Sequence, residues 1–70
     1  MTELLIIKGR GGYYRFKDGS YVLCELNKAS VFLLEQREEA GKLCATLHMD
    51  GLAEAVLMKL TIIEEPYLEE

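Results

Sequence analysis

The chain has 70 residues, half of them apolar and 29% charged, and its formal net charge is −4. A chain of this length forms one domain, residues 1–70, and buries only about 60% of the surface that its unfolded form exposes. The acidic balance disfavours non-specific binding to nucleic acid or to anionic lipid. The high apolar content fits either a tightly packed core or an apolar surface covered by a second copy of the chain.

The first part of the chain predicts three strands joined by two tight turns. Residues 4–7 form a continuous apolar run, which is typical of a buried central strand, and a glycine-rich stretch interrupts it. Residues 13–17 then alternate along a second strand. Asp18 and Gly19 indicate a hairpin, because glycine tolerates the positive φ of a type I′ turn. With residues 20–26 as the third strand, this segment is an antiparallel meander.

One helix is predicted after the meander. Four apolar side chains recur at the i, i+3, i+4, i+7 spacing of one helical face. They are Ala40, Leu43, Cys44 and Leu47. We expect the helix to run from about residue 34 to residue 49 and to end at Gly51, which suits the left-handed conformation. The sequence leaves Val31 and Phe32 open between strand and helix, and we favour an extended piece there.

A last strand is predicted over residues 55–63, because four alternate side chains form an apolar face. They are Val56, Met58, Leu60 and Ile62. We expect this face to pack against the helix and the mixed opposite face, which includes Lys59 and Thr61, to be uncovered. Pro66 cannot donate to a strand ladder, so residues 63–70 are expected to form an acidic, frayed tail.

The predicted fold is therefore α+β, with the order β-β-β-α-β. A right-handed crossover through the helix would place the fourth strand parallel to the first, giving the sheet order 3-2-1-4 with the helix on one face. The sequence does not fix this pairing order. The face without the helix would carry Tyr13, Arg15 and Lys17 together with Lys59.

No catalytic arrangement, cofactor site or metal site is predicted. His48 is the only histidine, and no nucleophile or acid motif surrounds it, so we expect it to interact with carbonyl groups at the helix end. Cys24 and Cys44 are expected to be reduced core residues. Gly9–Gly12 lacks the lysine and the following helix of a phosphate-binding loop. These features favour a protein that is not an enzyme.

The chain is expected to be cytoplasmic. No stretch reaches the roughly 18 apolar residues of a membrane span. The first residues also have no basic region before their apolar run and no small-residue cleavage site, so we predict no signal peptide and no membrane partner.

The candidate interaction surface combines aromatic and basic side chains. Its residues are Arg10, Tyr13, Arg15, Lys17, Tyr21 and Lys59. We favour a small non-catalytic interaction module whose partner is a protein, either a second copy of the chain in a homodimer or another protein. The alternative is a weak single-stranded nucleic-acid binder, in which bases stack on the tyrosines and the cations meet phosphates. The sequence fixes neither the partner nor the oligomeric state.

Three segments carry a resemblance to a loose group of proteins. They are Lys28–Phe32, the helix start Glu38–Ala40 and the ending Leu60–Pro66. With the Gly/Tyr hairpin, these segments make the chain similar to small bacterial and prophage proteins that share a Lys-Ala-x-x-Phe segment, one helix and a last strand ending near Glu-Glu-Pro. The resemblance implies the fold and a cytoplasmic setting, and it assigns no role to any residue.

Overall fold

The computed structural model describes residues 1–68 of the chain. Its main elements in chain order are β1 (Thr2–Gly9), β2 (Gly12–Lys17), β3 (Ser20–Cys24), β4 (Phe32–Leu33), α1 (Arg37–Met49) and β5 (Val56–Ile62). Two short 3-10 turns, Leu26–Lys28 and Leu34–Gln36, flank β4. The predicted α+β class with one helix is confirmed.

The five strands form one antiparallel sheet with β1 at its centre. β5 pairs with β1 along its length, from Thr2 opposite Ile62 to Lys8 opposite Val56. β2 pairs with the end of β1, and β4 pairs with its first half. Since β5 occupies one edge of β1, the strands β2 and β4 share the other edge. The predicted order, with the meander on one side of β1 and the last strand on the other, is confirmed.

Ser30 holds the chain between β2 and β1, where these two strands diverge. Its amide donates to the carbonyl of Tyr14 at 3.1 Å, and its hydroxyl accepts the amide of Phe16 at 2.8 Å. Phe32 then pairs with Leu5 of β1. The segment that the sequence left open is thus extended, and it continues the sheet between the meander and β1.

The predicted direction of the last strand is wrong: β5 is antiparallel to β1, not parallel. The reason is β4, which also runs antiparallel to β1. Two strands that are both antiparallel to β1 are parallel to each other. The helical crossover therefore connects the parallel strands β4 and β5, with β1 between them, rather than β3 and β5.

The core lies between α1 and one face of the sheet. Its buried side chains are Leu5, Ile7, Tyr14, Phe32, Ala40, Cys44, Leu47 and Ala55. The predicted apolar face of the helix is confirmed, because three of its residues are buried in this core and Leu43 packs against it. Burial of these side chains is the main source of stability in a domain of this size.

Specific hydrogen bonds close the 3-10 turn before α1 and the end of α1. In the turn Leu34–Gln36 the Gln36 side chain accepts the amide of Leu33 at 2.8 Å, whereas the N-cap of α1 itself has no side-chain hydrogen bond. At the end, Gly51 has φ +91° and the amide of Leu52 donates to the carbonyl of Leu47 at 2.9 Å. This is a Schellman arrangement, so the predicted stop at Gly51 is confirmed.

The β2–β3 hairpin is also confirmed. Asp18 and Gly19 both have positive φ, +50° and +78°. This is the combination that a type I′ turn requires, and it matches the right-handed twist of the two strands that it joins.

The predicted orientation of β5 is wrong. Leu57 is opposite Ile7 and packs against the core, so the alternate side chains of β5 point away from the helix. They are Val56, Met58, Leu60 and Ile62. The pairing register with β1 decides the orientation, because a strand offset by one residue exchanges its two faces.

The segment after β5, residues 63–68, has no regular secondary structure, and both Tyr67 and Leu68 are exposed. Glu69 and Glu70, which belong to the predicted frayed tail, lie outside the described residues.

Candidate functional site

The side of the sheet opposite α1 has no covering layer within residues 1–68, and we call it the open face. Seven apolar side chains lie side by side on it across β4, β1 and β5. They are Leu4, Ile6, Leu33, Val56, Met58, Leu60 and Ile62, and we call them the apolar patch. Four of them are substantially exposed, with exposed fractions between 41% for Met58 and 49% for Leu33, whereas Ile6 in the middle of the patch is buried at 3% and Leu4 and Leu60 are half-buried.

The apolar patch is contiguous. β1 and β5 run side by side for seven residues, about 4.8 Å apart, and the two-residue β4 adds to them at one end, so the patch covers roughly 250 Å² of sheet plane. Isolated exposed apolar residues are ordinary, whereas the largest contiguous apolar patch of a protein is often functional. The whole chain exposes 5626 Å², and a compact monomer of this mass exposes only about 4,450 Å². The extended segment after β5 contributes to this excess, because Ile63, Tyr67 and Leu68 are 65%, 85% and 86% exposed.

A row of basic and aromatic side chains lies beside the apolar patch on the same face. We call Lys8, Tyr13, Arg15 and Lys17 the basic row. Lys8 is opposite Tyr13 in the sheet, and its Nζ atom lies 5.9 Å from the centroid of the Tyr13 ring. Arg15 and Lys17 follow at alternate positions of β2 and are exposed. The open face is therefore basic at one side and apolar at the other.

The open face carries no carboxylate on any strand, and all the strands lie within residues 1–68. This is unusual in a chain that has 12 acidic and 8 basic side chains in total. The two ion pairs found in that part of the chain, Arg10–Glu54 at 3.9 Å and Lys59–Glu3 at 3.4 Å, do not involve the basic row.

The structure brings together three of the six residues that the sequence indicated, namely Tyr13, Arg15 and Lys17. Arg10 lies nearby, in the turn between β1 and β2. Lys8 belongs to the same row, and sequence reasoning missed it. Its signal was present, because the alternation of β1 places Lys8 opposite the first tyrosine of the hairpin.

Tyr21 and Lys59 lie on the other side of the sheet. Tyr21 is opposite Phe16, on the helix side, and its hydroxyl donates to the Asp50 carboxylate at 2.8 Å. This hydrogen bond, with smaller effects of desolvation and of the Asp50 charge, raises the pKa of Tyr21 above its ordinary value. Lys59 is opposite Leu5, again on the helix side. Neither side chain joins the basic row.

A cavity of about 550 Å³ opens between the β2–β3 hairpin and α1. Phe16, Tyr21 and Phe32 contribute aromatic rings to its wall, with Phe16 and Phe32 at a centroid separation of 6.3 Å. Glu39 and Asp50 stand at its rim. The rings also belong to the packing around the core, so this cavity is partly the edge of the core.

His48 has a structural position. Its Nε2 atom donates to the carbonyl of Ala55 at 2.6 Å, and the Sγ atom of Cys44 lies 3.6 Å from the same oxygen. A carbonyl can only accept, so Nε2 carries the proton. The contact ties the end of α1 to the start of β5. Within residues 1–68, no three His, Cys, Asp or Glu side chains are grouped so that they could hold a metal ion.

Comparison of the chain with protein-family models, with curated proteins and with solved structures finds no significant match. The resemblance to small bacterial and prophage proteins therefore stays a prediction. In the part of the chain that the structure describes, no helix combines the length and the apolar character needed to cross a membrane.

Proposed function

We propose that the chain is a small non-catalytic protein-interaction module that pairs with a second copy of itself through the open face. The observation that supports this proposal is the apolar patch, because Leu33, Val56, Met58 and Ile62 expose 41% to 49% of their surface on one continuous face. A second copy supplies an identical apolar patch, and a two-fold axis lets the two patches cover each other.

The apolar patch supplies only part of the area that a dimer needs. Stable interfaces bury about 800 Å² on each partner. The chain exposes 5626 Å², which is about 1,200 Å² more than a compact monomer of its mass. An interface of ordinary size on the open face, together with the segment after β5, would remove most of this excess from water.

The proposal includes a cytoplasmic setting. Cys24 and Cys44 are both free, and Cys44 is buried in the core. Free cysteines are stable in a reducing compartment, where disulfides are rare. No cofactor is part of the proposal.

Replacement of Met58 by glutamine tests the proposed dimer. Met58 is 41% exposed, and complete burial of such a side chain contributes about 1.5–3 kcal/mol. Burial of the remaining exposed part in both copies then contributes about 1–2.5 kcal/mol, and loss of this contribution raises the dimer dissociation constant about 5-fold to 60-fold. Light scattering on a size-exclusion column, over a concentration series, measures this constant.

Lys59→Gln is the matched control, because Lys59 is adjacent in sequence but lies on the helix side of the sheet. We expect this control to dimerise as the unmodified chain does. An unmodified chain that remains monomeric at every concentration would refute the proposed function. A Met58→Gln variant with an unchanged dissociation constant would exclude the open face as the interface.

The basic row favours a second candidate, the binding of single-stranded nucleic acid. Lys8, Arg15 and Lys17 supply three cations beside the ring of Tyr13, and no carboxylate of a strand shares their face. Cations and exposed rings are the components of a sequence-tolerant site for single strands. Amide NMR with short single-stranded DNA and RNA tests this candidate, since saturable shifts of Tyr13–Lys17 should weaken with salt. An unchanged spectrum at low salt would reject it.

A further inference from the structure

We propose that the segment after β5 of one copy lies against the basic row of the other copy, where Glu64 and Glu65 pair with Arg15 and Lys17. This inference rests on the proposed dimer and goes further, because it names the segment that occupies the basic side of the open face. The argument uses the charges of the two surfaces, the symmetry of a dimer and the direction of the strands.

The charges set the first condition. Each open face carries three cations, Lys8, Arg15 and Lys17, and no strand carboxylate. Two such rows facing each other directly would repel, and like charges in contact at an interface are costly. A dimer built on the apolar patch must therefore keep the two basic rows apart and, for each row, provide a partner of opposite charge.

Symmetry then selects one arrangement. When two sheets pack face to face with their strands aligned, the two-fold axis lies between them, either along the strands or across them. An axis across the strands places β2 over β2 of the partner, so that the basic rows meet. An axis along the strands places β5 of each copy over the opposite edge of the other copy's β1, which β2 and β4 share. Only the second arrangement separates the two basic rows.

The direction of the strands places the acidic segment at the correct end. β2 and β5 both run antiparallel to β1, so they point the same way, and an axis along the strands preserves this direction. β5 ends beside Thr2, and β2 ends at Lys17. The residues that follow Ile62 of one copy thus emerge over β4 of the other, which lies between β1 and the end of β2, and an extended segment reaches from there across to Arg15 and Lys17.

The composition of the segment matches that surface. Glu64 and Glu65 are exposed, and Ile63, Tyr67 and Leu68 expose 65%, 85% and 86% of their surface in the single chain. The six residues 63–68 span up to about 20 Å when extended. The segment therefore combines carboxylates with exposed apolar side chains, just as the open face combines cations with an apolar patch.

Exchange of charges tests the inference. One variant carries Arg15→Glu and Lys17→Glu, and the other carries Glu64→Lys and Glu65→Lys. We expect each variant alone to dimerise at least 10-fold more weakly than the unmodified chain. An equimolar mixture should form a heterodimer with an affinity within about threefold of the original, because both of its contacts then join opposite charges. Sedimentation equilibrium at low salt measures all four dissociation constants.

Controls with the same net charge separate a local contact from a general charge effect. Reversal of two cations takes the net charge from −4 to −8, and reversal of two carboxylates takes it from −4 to 0. The matched controls change exposed residues of α1. Arg37→Glu with Lys42→Glu also gives a net charge of −8, and Glu38→Lys with Glu39→Lys also gives a net charge of 0. We expect near-original dimerisation of both controls. Far-UV circular dichroism confirms that each variant is folded.

The outcomes distinguish this inference from the proposed function. If the unmodified chain dimerises and the charge variants dimerise equally well, the pairing is overturned and the proposed dimer stands. If each charge variant is weakened but the mixture is not restored, the named contact is likewise overturned. A monomeric unmodified chain removes the proposed function itself.

Discussion

Replacement of Gly9 by alanine should destabilise the fold, because the ring of Tyr14 occupies the space of a side chain at this position. A Cβ atom at Gly9 would lie 2.9 Å from the Cζ atom of Tyr14 and closer still to Cε2. Ordinary carbon contacts are about 3.5–4.0 Å long, so the ring must move by about 1 Å or more. Tyr14 is buried and lies 5.8 Å, between centroids, from the ring of Tyr21, which limits that movement.

Two opposing effects set the magnitude. Overpacking of a core destabilises a fold by about 1–3 kcal/mol. Replacing glycine also reduces the conformational freedom of the unfolded chain, which stabilises the fold by about 0.4–1 kcal/mol. We expect a net loss of about 1–2 kcal/mol. A domain of this length has a free energy of unfolding of only about 3.5–10 kcal/mol.

Replacement of Gly41 by alanine is the matched control. It should change the free energy of unfolding in the opposite direction. Gly41 lies inside α1, and a Cβ there meets no atom within 4 Å. Alanine is a better helix former than glycine by about 1 kcal/mol, so Gly41→Ala should stabilise the fold.

Urea unfolding followed by far-UV circular dichroism, at one fixed protein concentration, measures both changes. With a slope of about 1 kcal/mol/M, the midpoint should fall by about 1–2 M for Gly9→Ala and rise by about 0.5–1 M for Gly41→Ala. Tyr14→Leu combined with Gly9→Ala should lose less stability than the sum of the two single changes. A Gly9→Ala variant as stable as Gly41→Ala would refute the close approach of the Tyr14 ring.

Two further predictions concern the core and the hairpin. Leu47 is fully buried, so Leu47→Ala should cost about 2–5 kcal/mol in the same unfolding assay, and a loss below 1 kcal/mol would contradict its place in the core. The bond to Asp50 raises the pKa of Tyr21 in the folded state, so its stabilisation is present below the unfolded pKa of about 10 and is lost as the pH rises through the folded value. Between pH 8 and pH 11 the unmodified chain should lose more stability than Tyr21→Phe; equal losses would exclude the bond as the cause of the difference.

Local signals in the sequence were sufficient to predict most elements. The apolar run of residues 4–7 lies in the central strand, and three of its four residues are buried. Gly19 and Gly51 have the positive φ values that the hairpin and the helix end require. These features depend on a few adjacent residues, so they can be recognised without knowledge of the rest of the fold.

Features that depend on pairing between distant strands were not predictable. The alternation of β5 shows that one face is apolar, but it does not show whether that face meets the helix. The register that places Leu57 opposite Ile7 decides which face of β5 meets the helix. This register depends on two strands that are about fifty residues apart in the sequence. The two-residue strand β4 is shorter than any periodic signal, yet it reverses the direction of the last strand.

The orientation of β5 accounts for the apolar composition of the chain. Half of the residues are apolar, but the core between sheet and helix needs only a few of them, and α1 contributes just Ala40, Cys44 and Leu47 as buried side chains. If the apolar side of β5 met the helix, Leu57, Lys59 and Thr61 would take its place on the open face, which would then be more polar. Its actual register places four apolar side chains of β5 beside Leu4 and Ile6, on the face that no layer covers. The apolar residues thus divide between the two sides of one sheet. One side forms the packed core with the helix, and the side without a helix is the one for which we propose a second copy.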